Sequence, residues 1–215
     1  MKVNRLLPLF AAFVLSQVVL AQDQDRINTI FKSNSLRHSG GYGAIVNKFT
    51  VIDGQFANMA EVYGGWYINH RYLIGVGAGA TTNYIRVPLA YSTLPTERMS
   101  YEVGQVGLVQ EYVIASNRAV HANVHVFTGA GFSMQYVRYD WRQVNEPYNF
   151  PDYDHDSNWF FVVEPGVNLE INVFQWMRLS PGVSYRFANG STSQGLTDKK
   201  ISGGAVNLAL KFGRF

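Results

Sequence analysis

The most polar part of the chain holds the residues whose spacing comes closest to that of a metal site. A D-x-D-x-D sequence occupies residues 152–156, which is the spacing with which calcium-binding loops begin. Such a loop continues with Gly at its sixth position and Glu at its twelfth, where this chain has Ser157 and Val163. The pattern therefore favours a solvated acidic loop, and neither a metal nor another cofactor is expected.

Aromatic rings are interspersed with these acids throughout residues 139–158. Rigid aromatic side chains beside polar groups are common in binding surfaces, because they supply contact area at a low cost in conformational entropy. We therefore predict that this loop makes the main contact between the protein and other molecules. The candidate binding residues are Trp141, Tyr148, Phe150, Asp152, Tyr153, Asp154 and Asp156.

His155 and Ser157 place an imidazole and a hydroxyl in the same loop, which raises the question of acyl hydrolysis. Nucleophilic catalysis requires a serine, a base and an orienting group in fixed mutual geometry. Here the two residues lie two positions apart, without a recognisable flanking pattern. A non-enzymatic protein is therefore the favoured interpretation and no catalytic residue is assigned, while a lipid-modifying acyl hydrolase is kept as an alternative.

Residues 73–80 (LIGVGAGA) contain a G-x-G-x-x-A sequence, which touches the fingerprint of dinucleotide-binding folds. That fingerprint requires a helix to follow, with its N-terminus at the pyrophosphate. The next residues, 81–86, read TTNYIR and are typical of a strand. Glycines that relieve crowding inside a narrow barrel are therefore the favoured interpretation.

The elements that would position these residues are β-strands, of which residues 120–136 are the clearest. Their side chains divide alternately into an uncharged, mainly apolar set that begins at Val120 and a mostly polar or Gly set that begins at His121. Successive side chains of a strand point to opposite faces. The polar set holds Gly, Ser, Asn and Gln instead of the Lys and Glu of a water-washed face. This combination is typical of a transmembrane barrel, whose outer face meets lipid and whose inner face is polar.

The composition agrees with this interpretation. Of the 215 residues, 47% are hydrophobic and only 15% are charged, and this charged share lies well below the ~25% of soluble domains. The chain has no cysteine, which excludes disulfides, thiol chemistry and a lipoprotein anchor. No apolar run beyond the N-terminus reaches the length of a spanning helix, so membrane insertion would be by strands.

The N-terminus has the organisation of a secretory signal peptide, with Lys2 and Arg5 before an apolar stretch and small residues at the cleavage position. Cleavage before Gln22 lowers the formal net charge from +3 to +1. A nearly neutral mature chain gives no support to nucleic-acid binding. The predicted organisation is a signal peptide (1–21), a short periplasmic tail (22–38) and a β-barrel domain (39–215).

Eight antiparallel strands are predicted in the barrel domain, and their connections are segregated by length. Outer-membrane barrels have short periplasmic turns and longer external loops, whereas a soluble sandwich has no reason for such segregation. A chain that begins on the periplasmic side would place every long connection outside. Tight turns are predicted at residues 69–71, 116–118 and 174–176, and long loops at residues 88–98, 139–158 and 189–202.

Three of the predicted strands are irregular. The third is predicted to run over residues 72–87 without a break. The fourth, residues 99–115, carries apolar and polar residues in both phases, which a β-bulge would explain. For the first, residues 41–51, the sequence leaves both assignments of its faces open.

With these features the chain resembles the small eight-stranded outer-membrane barrels of the OmpX and OmpA transmembrane-domain type, over about residues 40–215. The resemblance implies an all-β, antiparallel, up-and-down barrel in the outer membrane, in contact with outer-membrane lipids. It also implies recognition by the barrel-assembly machinery, which reads a terminal aromatic residue, here Phe215. The apolar alternation of residues 206–212 is out of phase with that residue. A soluble, exported, lipocalin-like barrel for apolar ligands is the structural alternative.

A barrel would place the charged residues of the polar faces in its lumen. An eight-stranded barrel has an interior just wide enough for side chains to fill, and charge buried there must be paired. We therefore predict an internal polar network, which argues against an open pore. Together with Glu111, its predicted members are His121, His125, Glu164, Glu170, Arg178, Arg186 and Lys211.

The predicted function follows from these features. The protein is expected to be a non-enzymatic outer-membrane barrel that acts as a binding or structural protein through its external loops, or as a subunit of an envelope complex. Other envelope proteins are the candidate partners. Trp66, Trp159 and Trp176 lie near predicted strand ends, where an interfacial aromatic girdle explains them without a ligand.

Overall fold

The computed structural model describes residues 39–68, 71–116, 118–138 and 154–213. The predicted signal peptide and periplasmic tail lie outside the described residues, as do residues 139–153 and Phe215. Within the described ranges, no helix is long and apolar enough to cross a membrane.

Antiparallel strands close into a single barrel, which confirms the predicted fold class. Each long strand pairs with its neighbour in the sequence, the first pairs with the last, and β3 pairs directly with β5. A two-residue strand, β4, pairs only with β5. The strands are β1 (Ser39–Ile52), β2 (Gln55–Ile68), β3 (Tyr72–Thr81), β4 (Ile85–Arg86), β5 (Met99–Ile114), β6 (Val120–Val137), β7 (Asn158–Phe174), β8 (Met177–Asn189) and β9 (Gly203–Gly213).

The described connections divide the barrel into two ends. We call one the loop end, because it carries residues 82–98 and 190–202 as well as the hairpin turn at Asp53 and Gly54. The other is the turn end, where β7 passes into β8 through two residues. A three-residue 3₁₀ turn (Leu89–Tyr91) and a short helix, α1 (Asp198–Ile201), lie within the two loops. The segregation predicted from loop length is therefore present in the described connections.

Two of the predictions for individual strands are wrong. The third strand ends at Thr81 and does not continue to residue 87, because the chain turns there and the side chain of Asn83 bonds back to β2. Asn83 Oδ1 accepts from Asn58 N at 2.7 Å, and Asn83 Nδ2 donates to Phe56 O at 2.9 Å. The fourth predicted strand, now β5, pairs with β6 without any shift of register. A register shift occurs instead between β7 and β8, near Asn172.

Closely packed glycines hold β5 and β6 together. Gly107 faces Gly129 across the strand pair. A Cβ atom added to Gly107 would lie 2.6 Å from the Gly129 Cα, which is too close for any side chain. Gly75 faces Gly65 between β2 and β3 in the same way. The glycines of residues 73–80 therefore serve strand packing, and the segment forms part of β3 instead of the turn of a dinucleotide site.

Side-chain alternation sends apolar groups outward and polar groups inward along each long strand. In β7, Trp159, Phe161 and Val167 are exposed whereas Glu164 and Glu170 are buried. The ambiguous first strand follows the same rule. Its outward residues are Ile45, Asn47, Phe49 and Val51, and its inward residues are Tyr42, Ala44, Val46, Lys48, Thr50 and Ile52.

This arrangement is the reverse of that in a soluble barrel, whose apolar side chains fill the interior. Aromatic side chains border the apolar belt at both ends. Phe174, Trp176 and Phe212 form a stack at the turn end, with ring centroids 5.5 and 6.1 Å apart. Phe132 and Trp159 lie near the loop end, 5.7 Å apart. An apolar belt between two aromatic girdles is the surface of a barrel that spans a bilayer.

A substitution at Val167 tests whether the apolar belt contacts lipid. This residue is 51% exposed and lies between the outward-facing Val124 and Val183 of the adjacent strands. We predict that Val167→Lys destabilises the barrel in phospholipid vesicles by about 2–4 kcal/mol, since a cation near the bilayer centre loses its hydration. Urea unfolding followed by heat-dependent gel mobility measures the effect. Gln175→Lys, in the exposed turn, is the matched control. Equal stability of the two variants would show that this face does not contact hydrocarbon.

Candidate functional site

A cluster of paired charges fills the lumen near the turn end, centred on Glu170. One carboxylate oxygen of this buried residue lies 2.8 Å from His121 Nε2 and 3.2 Å from Arg178 Nη1. The other oxygen accepts from Lys211 Nζ and, at 2.6 Å, from Asn123 Nδ2. Both carboxylate oxygens are therefore fully engaged within the barrel.

Lys211 links Glu170 to a second carboxylate, because its Nζ also lies 2.7 Å from Glu111. The hydroxyls of Tyr42 and Tyr63 each donate to Glu111 at 2.9 Å. Residues of β1, β2, β5, β7 and β9 thus meet at one ammonium group that is itself fully buried. Burial of charge is costly unless geometry and hydrogen bonding compensate it, and this cluster supplies both.

A second cluster occupies the lumen nearer the loop end. Lys48 Nζ lies 2.7 Å from Glu61 and 2.7 Å from Glu164. Ser184 donates to Glu164 at 2.5 Å, and the Gln105 amide donates to both carboxylates, at 2.8 and 3.3 Å. The two clusters together span the width of the barrel and connect opposite walls.

A small cavity separates the two clusters. Its volume is about 40 Å³, and its lining includes His125, Asn168 and Phe127. Asn168 Nδ2 lies 3.1 Å from His125 Nδ1 and donates to Asn123 Oδ1 at 3.0 Å. A cavity of this size holds a few water molecules. The lumen side chains of Glu111, Glu164 and Lys211 are at most 2% exposed, so side chains of the described residues seal the lumen.

All eight predicted members of the polar network, Glu111 among them, project into the lumen, although they do not all meet. Arg186 forms no ion pair within 4.0 Å with the described carboxylates of either cluster; its Nε donates to Ile201 O at 3.0 Å and so joins the barrel wall to the last loop. Three lumen residues of the second cluster were not predicted from the sequence: Lys48, Glu61 and Gln105. Lys48 could have been found from its phase, because it alternates with the apolar Phe49 and Val51 in β1.

The outer loops are joined to the loop end through Asp156, one of the predicted binding residues. Its Oδ2 accepts from Gln194 N at 2.7 Å, from Ser193 Oγ at 3.1 Å and from Gln135 Nε2 at 3.3 Å. Its φ of 46° places it in the left-handed region, which Asp tolerates better than most residues. Tyr101 adds a further link, since its hydroxyl donates to Gln194 O at 2.7 Å. The carboxylate of Asp156 therefore holds two loops against the barrel.

Asp154 accepts at its Oδ1 from Asp156 N at 2.9 Å and is exposed. The other predicted binding residues, Trp141, Tyr148, Phe150, Asp152 and Tyr153, lie outside the described residues. His155 Nδ1 lies 3.2 Å from the carbonyl oxygen of Gln135. Among the described residues, no cluster of His, Asp and Glu side chains could hold a metal ion.

No protein-family model and no curated protein matches the sequence, whereas several solved structures share its fold. Neisserial surface protein A superposes with a TM-score of 0.51 at 11% identity, over 81% of this chain and 96% of its own. Ail, the attachment invasion locus protein of Yersinia pestis, superposes with a TM-score of 0.47 at 11% identity, over 82% of this chain and 98% of Ail. The outer membrane protein OprG from Pseudomonas aeruginosa superposes with a TM-score of 0.44 at 11% identity, over 82% of this chain and 95% of OprG. The first likeness concerns the fold alone.

The fold, the apolar belt and the sealed polar lumen define the class of the protein. It is a small eight-stranded transmembrane β-barrel of the outer-membrane type, as the sequence predicted. Short turns of such barrels lie in the periplasm and longer loops outside the cell. The loop end therefore faces the exterior, and the protein resides in the outer membrane.

Glu170→Gln tests the pairing of charges in the lumen. We predict that it lowers the free energy of unfolding by about 3–5 kcal/mol, because it leaves buried cations without their common carboxylate. Urea unfolding in detergent micelles measures the loss, and Glu97→Gln in the exposed loop is the control. If both variants unfold at the same urea concentration, the ion pairs contribute nothing to stability.

Asp156→Ala tests the attachment of the outer loops. We predict roughly tenfold faster tryptic cleavage after Lys199 and Lys200, because three hydrogen bonds to a charged acceptor are lost. Mass spectrometry of the fragments measures the rate, while unchanged heat-dependent gel mobility confirms an intact barrel. Glu97→Ala, which removes an exposed carboxylate from another outer loop, is expected to leave the rate unchanged. If the Asp156→Ala variant is cleaved at the same rate as the wild-type protein, this carboxylate does not hold the loops.

Proposed function

We propose that the protein is a non-enzymatic outer-membrane barrel that binds other molecules through its external loops. The single observation that carries the proposal is the sealed lumen: paired charges and their hydrogen-bond partners fill the interior from wall to wall. Lys48 and Lys211 each bridge two carboxylates there. Because this interior offers no route for solutes, the surface that remains available for function is the exterior.

The attachment of the outer loops supports the same proposal. Asp156 and Tyr101 hold residues 154–157 and 190–202 onto the rim. A loop that is held in place loses less conformational entropy when it binds, so a rigid scaffold favours recognition. The binding residues that we propose are the aromatic and acidic side chains predicted from the sequence, with Asp156 as the residue that positions their loop.

The alternative function is that of a subunit in an envelope complex, and one observation favours it. Asn47 and Asn58 are polar residues on the outward side of β1 and β2, where their side-chain amides form a 2.6 Å hydrogen bond. Polar groups that face lipid are costly, and contact with a partner in the membrane would compensate them. Such a partner would meet the lipid-facing side of the barrel instead of its loops.

Photocrosslinking in intact cells distinguishes these functions. Benzoylphenylalanine replaces one aromatic residue at a time: Tyr148 in the outer loop, Phe49 beside Asn47 on the lipid-facing side, or Phe174 at the turn end as the control. We expect discrete crosslinked species from Tyr148, identified by mass spectrometry. If crosslinked species form only from the position of Phe49, the protein acts as a subunit of an envelope complex and the loop function is wrong. If neither position yields more than the control, both functions are wrong.

A further inference from the structure

Three arginines line one cavity at the loop end, on the outward side of neighbouring strands. Arg86 belongs to β4, Arg98 directly precedes β5, and Arg138 directly follows β6. Val87 and Met99, their neighbours in the chain, are 5% and 3% exposed and point inward. Because side chains alternate along a strand, Arg86 and Arg98 point outward, in agreement with their exposure.

The backbone beneath these arginines is held in place by hydrogen bonds. Arg138 N donates to Arg98 O at 2.8 Å, and Val87 N donates to Met99 O at 3.2 Å. The Gln55 side chain bonds Arg86 twice, because its Oε1 accepts from Arg86 N and its Nε2 donates to Arg86 O, both at 2.9 Å. The three Cα positions are therefore set by the sheet before any ligand arrives.

One guanidinium is also restrained by an aromatic ring. Arg138 Cζ lies 4.0 Å from the centroid of the Tyr84 ring, a cation–π contact. Tyr84 in turn lies 6.5 Å from Tyr136, measured between ring centroids. A restrained guanidinium loses less side-chain entropy when its N–H groups bind an anion.

The arginines line a surface cavity of about 440 Å³. Glu97 also lines it, but no carboxylate of the described residues lies within 4.0 Å of the three guanidinium groups. Pro88 and Leu89 form an apolar side of the cavity, and Leu89 is 73% exposed. The cavity thus combines three cations with an exposed aliphatic group, a composition that suits an amphiphilic anion.

The level of the cavity along the barrel indicates the ligand. Tyr84 and Tyr136 face outward immediately below the arginines, and Phe132 and Trp159 follow further down the same side. Aromatic girdles mark the level at which hydrocarbon gives way to headgroups. Side chains just beyond the girdle on the outward side therefore lie among the headgroups of the outer leaflet.

We propose that Arg86, Arg98 and Arg138 form a binding site for the phosphate group of an outer-leaflet lipid, with Leu89 in contact with its apolar part. The planar guanidinium presents paired N–H donors that match phosphate oxygens. Three of them and the single carboxylate of Glu97 give the cavity lining a net charge that offsets a doubly charged phosphomonoester. This site is separate from the outer-loop function proposed above and does not depend on it.

Binding to lipid A in detergent micelles tests the site, with diphosphorylated and dephosphorylated lipid A as the two probes and native mass spectrometry as the measurement. The triple variant Arg86→Gln, Arg98→Gln, Arg138→Gln is compared with wild type. The matched control is Arg71→Gln, Arg118→Gln, Lys199→Gln, which removes the same charge from exposed residues elsewhere. Heat-dependent gel mobility shows that each variant is folded, and the single variant Arg98→Gln replaces the triple one if it fails to fold.

We expect wild type and the control to bind the diphosphorylated lipid at least about tenfold more tightly than the dephosphorylated one, and the triple variant to lose this preference. Equal loss in the control would attribute binding to net charge and overturn the site. A further arm adds inorganic phosphate. Displacement of the lipid by millimolar phosphate would identify a site for free anions instead of a lipid site. If the wild-type protein binds diphosphorylated and dephosphorylated lipid A equally tightly, the proposal is wrong.

Discussion

The pairing of charge inside the barrel is the constraint on which the rest of the structure depends. The outer face of each strand meets hydrocarbon, so the charged groups of the membrane-spanning part have only the lumen to occupy. There the eight-stranded geometry leaves room for side chains but little for water. Each buried cation must therefore contact a carboxylate or a carbonyl, as Lys48, Lys211 and Arg186 do.

The same constraint separates the membrane-spanning part from the functional surface. A network that crosses from wall to wall makes the barrel rigid and closes it to solutes, which supports the proposal that recognition takes place at the outer rim and its loops. Asp156 transfers that rigidity outward, because its carboxylate joins the rim residue Gln135 to the loop that carries Ser193 and Gln194. On the outward side of the rim, the arginines of β4, β5 and β6 rest on the same framework of backbone hydrogen bonds.

Expectation and structure differ where local pattern competes with tertiary contacts. The apolar character of residues 72–87 predicted one strand, but the side chain of Asn83 bonds to β2 and the chain turns. The mixed phases of residues 99–115 allowed a bulge, yet β5 is regular because its inward face holds both Gln105 and the apolar Val103 and Val109. In a lumen of mixed polarity, an apolar residue is no reliable sign of the outward face.

The sequence by itself determined most of the strands, the inward and outward faces of those that alternate cleanly, the two kinds of connection and the membrane class. These properties follow from period-two alternation and loop length, both of which are local. The tertiary structure alone decided which charges meet, since Lys211 and Glu111 are brought together by closure of the sheet across strands distant in the chain. It alone also placed three arginines from separate segments around one cavity, because the register between strands sets such distances and no spacing in the sequence encodes them.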